Sequence, residues 1–226
     1  MKKLTFISLL LIAAICFSCK KEYLIDGGLS NAKVDMTTLE FLKTRPYHQF
    51  DSLLILLKAA GIESEVNTNI TFVAPTNYDL VNFCYEKQAA LRLIHEDENY
   101  VYNFDSLVKE AVYYKDTLRM YMIPSNINRE NLTSPVVTKS TSGVDVALSL
   151  IESKLYTEWV PNSIPKFVYF SKVINGLDDP SATDIPIEDQ DGRSRCQTSG
   201  IITTTGILHI LDDDHIFGFR KKTIAN

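Results

Sequence analysis

The sequence predicts an α+β domain. Two observations predict it: apolar residues recur at helical spacing through the first half of the chain, and they alternate at strand spacing in the second half. A third is an absence: helical and strand patterns do not take turns as a βαβ ladder would require, and no internal repeat is present. With 226 residues, 45% of them hydrophobic, and only nine Gly and eight Pro, the chain can bury an ordinary core and is neither disordered nor low in complexity. Its formal charge is −5, and the 23 Lys and Arg are spread out rather than gathered into a phosphate-binding face. Nucleic acid is therefore not an expected partner.

Residues 1–18 differ from the rest. Lys2 and Lys3 precede an apolar run, LTFISLLLIAAICF, that is too short for a spanning helix, which needs roughly 20 residues, and that reads as a secretory signal. It ends at Ser18-Cys19-Lys20-Lys21-Glu22. A small residue followed by Cys at the cleavage point resembles the lipobox of bacterial lipoproteins, although Cys16 and Phe17 are looser than the usual residues there. That resemblance implies acylation of Cys19, palmitate included, and an N-terminus held by several buried acyl chains, since one chain alone binds only marginally. The charged run after Cys19 resembles the surface-display signal of Bacteroidota lipoproteins. The expected location is the outer membrane, facing the periplasm or exposed at the cell surface. The expected organisation is a signal peptide at 1–18, a lipidated tether at 19–34, one domain at 35–220 and a tail at 221–226.

The tether, with its YLIDGG stretch, is expected to pack loosely. Thr37 or Thr38 can cap a first helix carrying Leu39 and Leu42, interrupted at Arg45-Pro46. A second helix is expected from Pro46, with Phe50, Leu53, Leu54 and Leu57 at i, i+3, i+4, i+7 and Gly61 just past its end. ITFVA, residues 70–74, is a strand stopped by Pro75, after which Thr76 or Asn77 caps a helix facing inward through Leu80, Val81, Cys84 and Leu91. A loop at 97–102 precedes a helix capped by Asp105, with Leu107, Val108, Ala111 and Val112 turned inward, and regular structure ends at Ile123-Pro124. Val144, Val146, Leu148 and Leu150 alternate as a half-buried strand, and 167–174 forms another. Residues 178–192 form a long acidic loop. Residues 201–211 and 215–219 are expected to make a β-hairpin turning at Asp212-Asp213-Asp214.

Two segments carry a family resemblance. Thr71-Phe72-Val73-Ala74-Pro75-Thr76-Asn77 resembles the first signature segment of fasciclin (FAS1) domains, a strand that turns into a helix, and Gly206-Ile207-Leu208-His209-Ile210-Leu211-Asp212 resembles the second. Thr71, Phe72, Ala74, Pro75, Thr76, Asn77, Gly206, His209 and Asp212 are the positions that match. With its tether, the chain resembles the lipid-anchored single-FAS1 proteins of Bacteroidota. The resemblance implies helices packed on a mixed sheet or wedge, and a non-catalytic role in adhesion or in binding protein or glycan at the cell surface. The alternative is an accessory subunit of an outer-membrane glycan-uptake complex, beside a transporter. Many family members carry a Tyr-His pair before a Val-x-Pro-like step. Met120-Tyr121 stands there instead, so the integrin-type adhesion tied to that pair is not implied.

No catalytic constellation appears: there is no G-x-S-x-G, H-E-x-x-H, phosphate-cradling glycine loop or Cys-x-x-Cys. No cofactor is implied. His209 lies in an otherwise apolar row and reads as a hydrogen-bonded packing residue. His209 and His215 could approach across the expected hairpin, but a metal site would need a third ligand from turn aspartates, and none is expected. The acidic loop, with Asp178, Asp179, Asp184, Glu188, Asp189 and Asp191, is the best place for Ca²⁺, yet its Asp189-Gln190-Asp191-Gly192 end lacks the first acid and the final Glu of an EF-hand, and a solvated loop is the plainer reading. Cys84 and Cys196 remain as mature thiols. An exported protein permits a disulfide between them, and the spacing does not decide between a bridge and two buried thiols.

Overall fold

The structure is a computed structural model that describes residues 32–153 and 164–220. The signal segment, Cys19, most of the tether and the tail lie outside the described residues.

The first helix, α1 (Thr38–Lys43), starts because Thr37 and Glu40 form a capping box: the Thr37 N–H donates to Glu40 Oε2 at 2.8 Å and the Glu40 N–H donates to Thr37 Oγ1 at 3.2 Å. Pro46 does not open the second helix, as the sequence predicts, but a short 3₁₀ turn, Pro46–His48, after which α2 (Asp51–Ala59) begins. Phe50, Leu53 and Leu57 are buried as expected, and Gly61 follows with φ +70°, the left-handed conformation that ends a helix without a Cβ penalty.

Strand β1 (Ile70–Ala74) is buried along its whole length and stops at Pro75. The long helix α3 (Asn77–His95) follows, with Thr76 as its cap and the Thr76 N–H donating to Asp79 Oδ2 at 2.7 Å. Its inner face is Leu80, Phe83 and Cys84. Val81, read from sequence as inward, is 38% exposed, because the i, i+3, i+4 set carries Phe83 into edge contacts with Tyr114 and Phe217 instead. The expected single helix from Asp105 is divided into α4 (Phe104–Lys109), a 3₁₀ turn Ala111–Tyr114 and α5 (Lys115–Met120). Asn103, not Asp105, caps α4, its side chain accepting the Ser106 N–H at 3.1 Å. Val112 is consequently outside.

The remaining strands are β2 (Met122–Ile123), β3 (Val136–Lys139), β4 (Asp145–Glu152), β5 (Lys166–Lys172), β6 (Gly192–Thr203) and β7 (Gly206–Leu211). They form one seven-stranded mixed sheet in the order β2-β1-β7-β6-β5-β4-β3, in which only β1 and β7 run parallel. The fold is α+β, with helices packed on a mixed sheet. One core joins Leu53, Leu56 and Leu57 of α2 and Leu80 of α3 to Phe72, Leu208 and Phe170 of the sheet.

The terminal hairpin differs from the expectation. Its turn is Thr204-Thr205, between β6 and β7, and not the Asp212–Asp214 run. Thr203 Oγ1 bonds the Gly206 carbonyl at 3.0 Å and the Thr205 N–H donates to Thr203 Oγ1 at 3.3 Å, so hydroxyls do here what Asn-Gly does in commoner hairpins. The aspartate run is a hydrogen-bonded turn after β7, the His215 N–H donating to the Asp212 carbonyl at 3.1 Å, but a 3₁₀ turn, Phe217–Phe219, follows it in place of a paired strand. The end of the tether is not loose: Lys33 bridges Ile202, and the Val34 N–H donates to the Ile202 carbonyl at 2.8 Å. The described residues from Lys33 onward form one compact unit.

Candidate functional site

The two signature segments lie side by side. Strand β1 pairs with β7 in parallel register from Ile70↔Gly206 to Ala74↔Ile210, which sets Phe72 opposite Leu208 and Val73 opposite His209. Beyond the strands the contact continues: Thr76 Oγ1 donates to Asp213 Oδ1 at 3.0 Å, and Asn82 Nδ2 of α3 donates to the Asp213 carbonyl at 3.0 Å.

Each matching residue has a physical task in or around these segments. Thr71, fully buried, donates from Oγ1 to the Ser125 carbonyl at 2.6 Å and accepts the Ile127 N–H at 2.7 Å, closing the loop after β2. Phe72 and Ala74 are core residues, and Pro75 ends β1 where no further donor is needed. Asn77 ties α3 to α2: its Nδ2 donates to the His48 carbonyl at 2.6 Å and its Oδ1 accepts the Ser52 N–H at 2.9 Å. Gly206 has φ +142°, and a Cβ there would collide with the Ile70 carbonyl oxygen, so only glycine lets β7 approach β1. Asp212 receives Arg195 through Nε at 2.8 Å and through Nη2.

His209 is buried and bonded on both ring nitrogens. The Gly200 N–H donates to Nδ1 at 3.2 Å, which leaves the proton on Nε2 to donate to the Ile127 carbonyl at 3.0 Å. Burial lowers its pKa to about 4, so the ring is neutral near pH 7. It is the packing residue that its apolar row implies.

One pair has the separation of a nucleophile and a base, and sequence reasoning missed it. Ser194 Oγ is 2.7 Å from His215 Nδ1, at the edge shared by two clefts of about 520 and 340 Å³. The rest of the chain of bonds decides what the pair can do. His215 Nε2 is 2.6 Å from the Tyr121 hydroxyl, which also accepts the Gly218 N–H at 2.8 Å. Tyr121 is wholly buried and its proton has one acceptor here, Nε2, so Nδ1 carries the other proton and donates to Ser194. In that tautomer the histidine cannot take the serine proton. Burial also lowers the His215 pKa to about 3, far below a base suited to neutral pH. The arrangement anchors the C-terminal 3₁₀ turn: Tyr121 stacks between Phe217 and Phe219, and a Cβ on Gly192 would stand 2.7 Å from the Phe219 ring.

The other candidates are likewise engaged. Cys84 and Cys196 are both buried free thiols, and burial raises the Cys84 pKa to about 11. In the acidic loop, Asp178 Oδ2 accepts the Asp191 N–H at 2.7 Å and Asp191 Oδ2 accepts the Asp178 N–H at 2.9 Å, so these carboxylates staple the loop across its base. Among the described residues no group of three or more His, Cys, Asp or Glu is arranged to hold a metal ion. Asp79 is the unusual acid. It is completely buried, its Oδ1 has no partner, and desolvation raises its pKa to about 8 despite two hydrogen bonds with Thr76. Among the described residues no helix is long and apolar enough to cross a membrane.

No protein-family model matches the chain, and no curated protein matches it. Among solved structures it is similar to a FAS1 domain pair from the insect cell adhesion molecule fasciclin I, with 11% identity and a TM-score of 0.41. The likeness covers 75% of this chain and 44% of that one, so the chain spans less than half the length of the pair.

Proposed function

We propose that the protein is a FAS1-type binding domain, exported and lipid-anchored through Cys19, that attaches to protein or glycan at the cell surface without catalysis. The observation that carries this reading is the parallel pairing of β1 with β7. Two segments matched independently to the family's signatures are hydrogen-bonded neighbours, and Gly206 and Thr76 serve their junction directly. The Ser194–His215 pair is protonated the wrong way round for nucleophilic attack, which favours binding over hydrolysis. Sites on such a fold are a separate matter from the fold itself, and adhesion is the activity the resemblance implies.

The test has two arms. Labelled palmitate should enter the wild-type chain, and a Cys19→Ala variant should leave the membrane fraction; a variant that stays membrane-bound contradicts the anchor. Cells displaying the protein should adhere to immobilised glycan or matrix protein more than cells lacking it, and equal adhesion contradicts the binding role. Co-purification of a transporter barrel in stoichiometric amount would replace free-standing adhesion by the accessory role.

A further inference from the structure

We propose that the groove between the Pro46–His48 turn and the start of α3 binds an acidic saccharide, a sugar ring lying on Tyr47 and Tyr78 and its carboxylate meeting Arg45. This deepens the proposed binding function and rests on it.

The groove has a cavity volume of about 580 Å³, within the range of roughly 300–1,000 Å³ usual for ligand sites, and is lined by Arg45, Pro46, Tyr47, Gln49, Tyr78 and Val81 together with Asn77. Its tyrosines are exposed to an unusual degree, Tyr47 at 96% and Tyr78 at 63%. Tyr47 is held there at a cost. Tyr47 and His48 have φ of 61° and 55°, two consecutive non-glycine residues in the left-handed region, where L side chains are strained. No packing of the Tyr47 ring compensates for this, since the ring faces solvent. The turn is instead fixed from below, where the Asn77 side chain holds the His48 carbonyl and the Asn77 N–H donates to the Gln49 carbonyl at 3.0 Å. A backbone already fixed beneath an outward-facing aromatic ring has little further main-chain entropy to lose when the ring is covered.

Arg45 supplies the charge. Its guanidinium lies 5.1 Å from the centre of the Phe41 ring and has no ion-pair partner among the described residues, while its Nε is shut off from solvent and donates to nothing. A groove-lining cation with no ion-pair partner among the described residues favours an anionic ligand, and a carboxylate fits a guanidinium best. No residue lining the groove is acidic, and Asp51, at the start of α2, is bonded to His48 Nδ1 at 2.9 Å. Aromatic faces, an open guanidinium and the Gln49 amide together match a uronic-acid unit better than a neutral sugar or a proline-rich peptide.

Calorimetric titration of the detergent-solubilised full chain with tetragalacturonate tests this, with maltotetraose and a decaproline peptide as comparisons. The expected result is saturable binding of tetragalacturonate, at least tenfold tighter than maltotetraose. Tyr47→Ala and Arg45→Gln should each weaken it tenfold or more, with Tyr47→Ala leaving the melting temperature unchanged. No heat at millimolar tetragalacturonate, equal binding of maltotetraose, preference for decaproline, or binding indifferent to both substitutions would each overturn the proposal. Cell adhesion that survives the double variant would remove this site while leaving the broader binding function standing.

Discussion

The Tyr121 hydroxyl lies 2.6 Å from Nε2 of His215, a residue 94 positions further along the chain. The sequence has Met120-Tyr121 where the resemblance leads one to look for adjacent Tyr and His, and the fold brings a histidine to that tyrosine from the C-terminal segment. The bond closes a chain from Ser194 through His215 and Tyr121 to the Gly218 amide.

Tyr121→Phe strands His215 Nε2 and the Gly218 N–H together in a buried place, where an unsatisfied group costs about 1–3 kcal/mol. The expected loss is about 2–4 kcal/mol in denaturant unfolding, against about 1 kcal/mol or less for Ser194→Ala at the partly exposed end of the chain. Equal and negligible effects would contradict the proposed network.

Gly206→Ala should be more damaging still. The added Cβ meets the Ile70 carbonyl in a backbone conformation that favours glycine, so a loss of about 3 kcal/mol or more, or failure to fold, is expected. Gly61→Ala, at a positive φ but with nothing within 4 Å of the new Cβ, should cost only about 1 kcal/mol. Thermal unfolding of the two variants side by side separates collision from backbone strain.

These sites mark what was legible in the sequence. The Thr37–Glu40 cap, the end of ITFVA at Pro75 and the stop at Gly61 depend on residues a few positions apart, and local chemistry fixes them. The Thr204-Thr205 turn was hidden because threonine is itself a strand former, while the aspartate run beyond it forms a turn that joins no second strand. Strand β6 was hidden by its polar alternation, Arg193, Arg195, Gln197 and Ser199, and by bulges between Cys196 and Ile201. Of the candidate site residues, the two signature segments were legible one by one. Their pairing, the Ser194–His215–Tyr121 chain and the Tyr47–Tyr78 groove were not, since each depends on contacts between distant parts of the chain.

Stability should peak near pH 6.5. His209 and His215 have folded pKa values of about 4 and 3, below their ordinary 6.5, so the unfolded chain binds more protons and the protein weakens as pH falls below 6.5. Asp79 acts in the opposite sense. Its folded value of about 8 exceeds the ordinary 3.8, so the stability its protonation carries is present below pH 3.8 and is lost as pH rises through 8. Below 6.5 the two histidines outweigh it, and above 6.5 it acts alone among the three. Asp79→Asn should flatten the decline between pH 6.5 and 8.5 and stabilise the protein there. Urea midpoints measured across that range check the sign, and an unchanged slope in the variant would contradict the assignment.

Cys84 and Cys196 should resist a thiol reagent until the protein unfolds, and reductant should not move the melting temperature, because both are free and enclosed. A melting temperature lowered by reductant would reveal a bridge.

Segments 70–74 and 206–210 are parallel neighbours in one sheet. Nuclear Overhauser contacts across β1 and β7 test it most directly. Inter-strand backbone contacts are expected in the register that sets Phe72 beside Leu208 and Val73 beside His209. Contacts in antiparallel order, or none between the two strands in a folded spectrum, would contradict it.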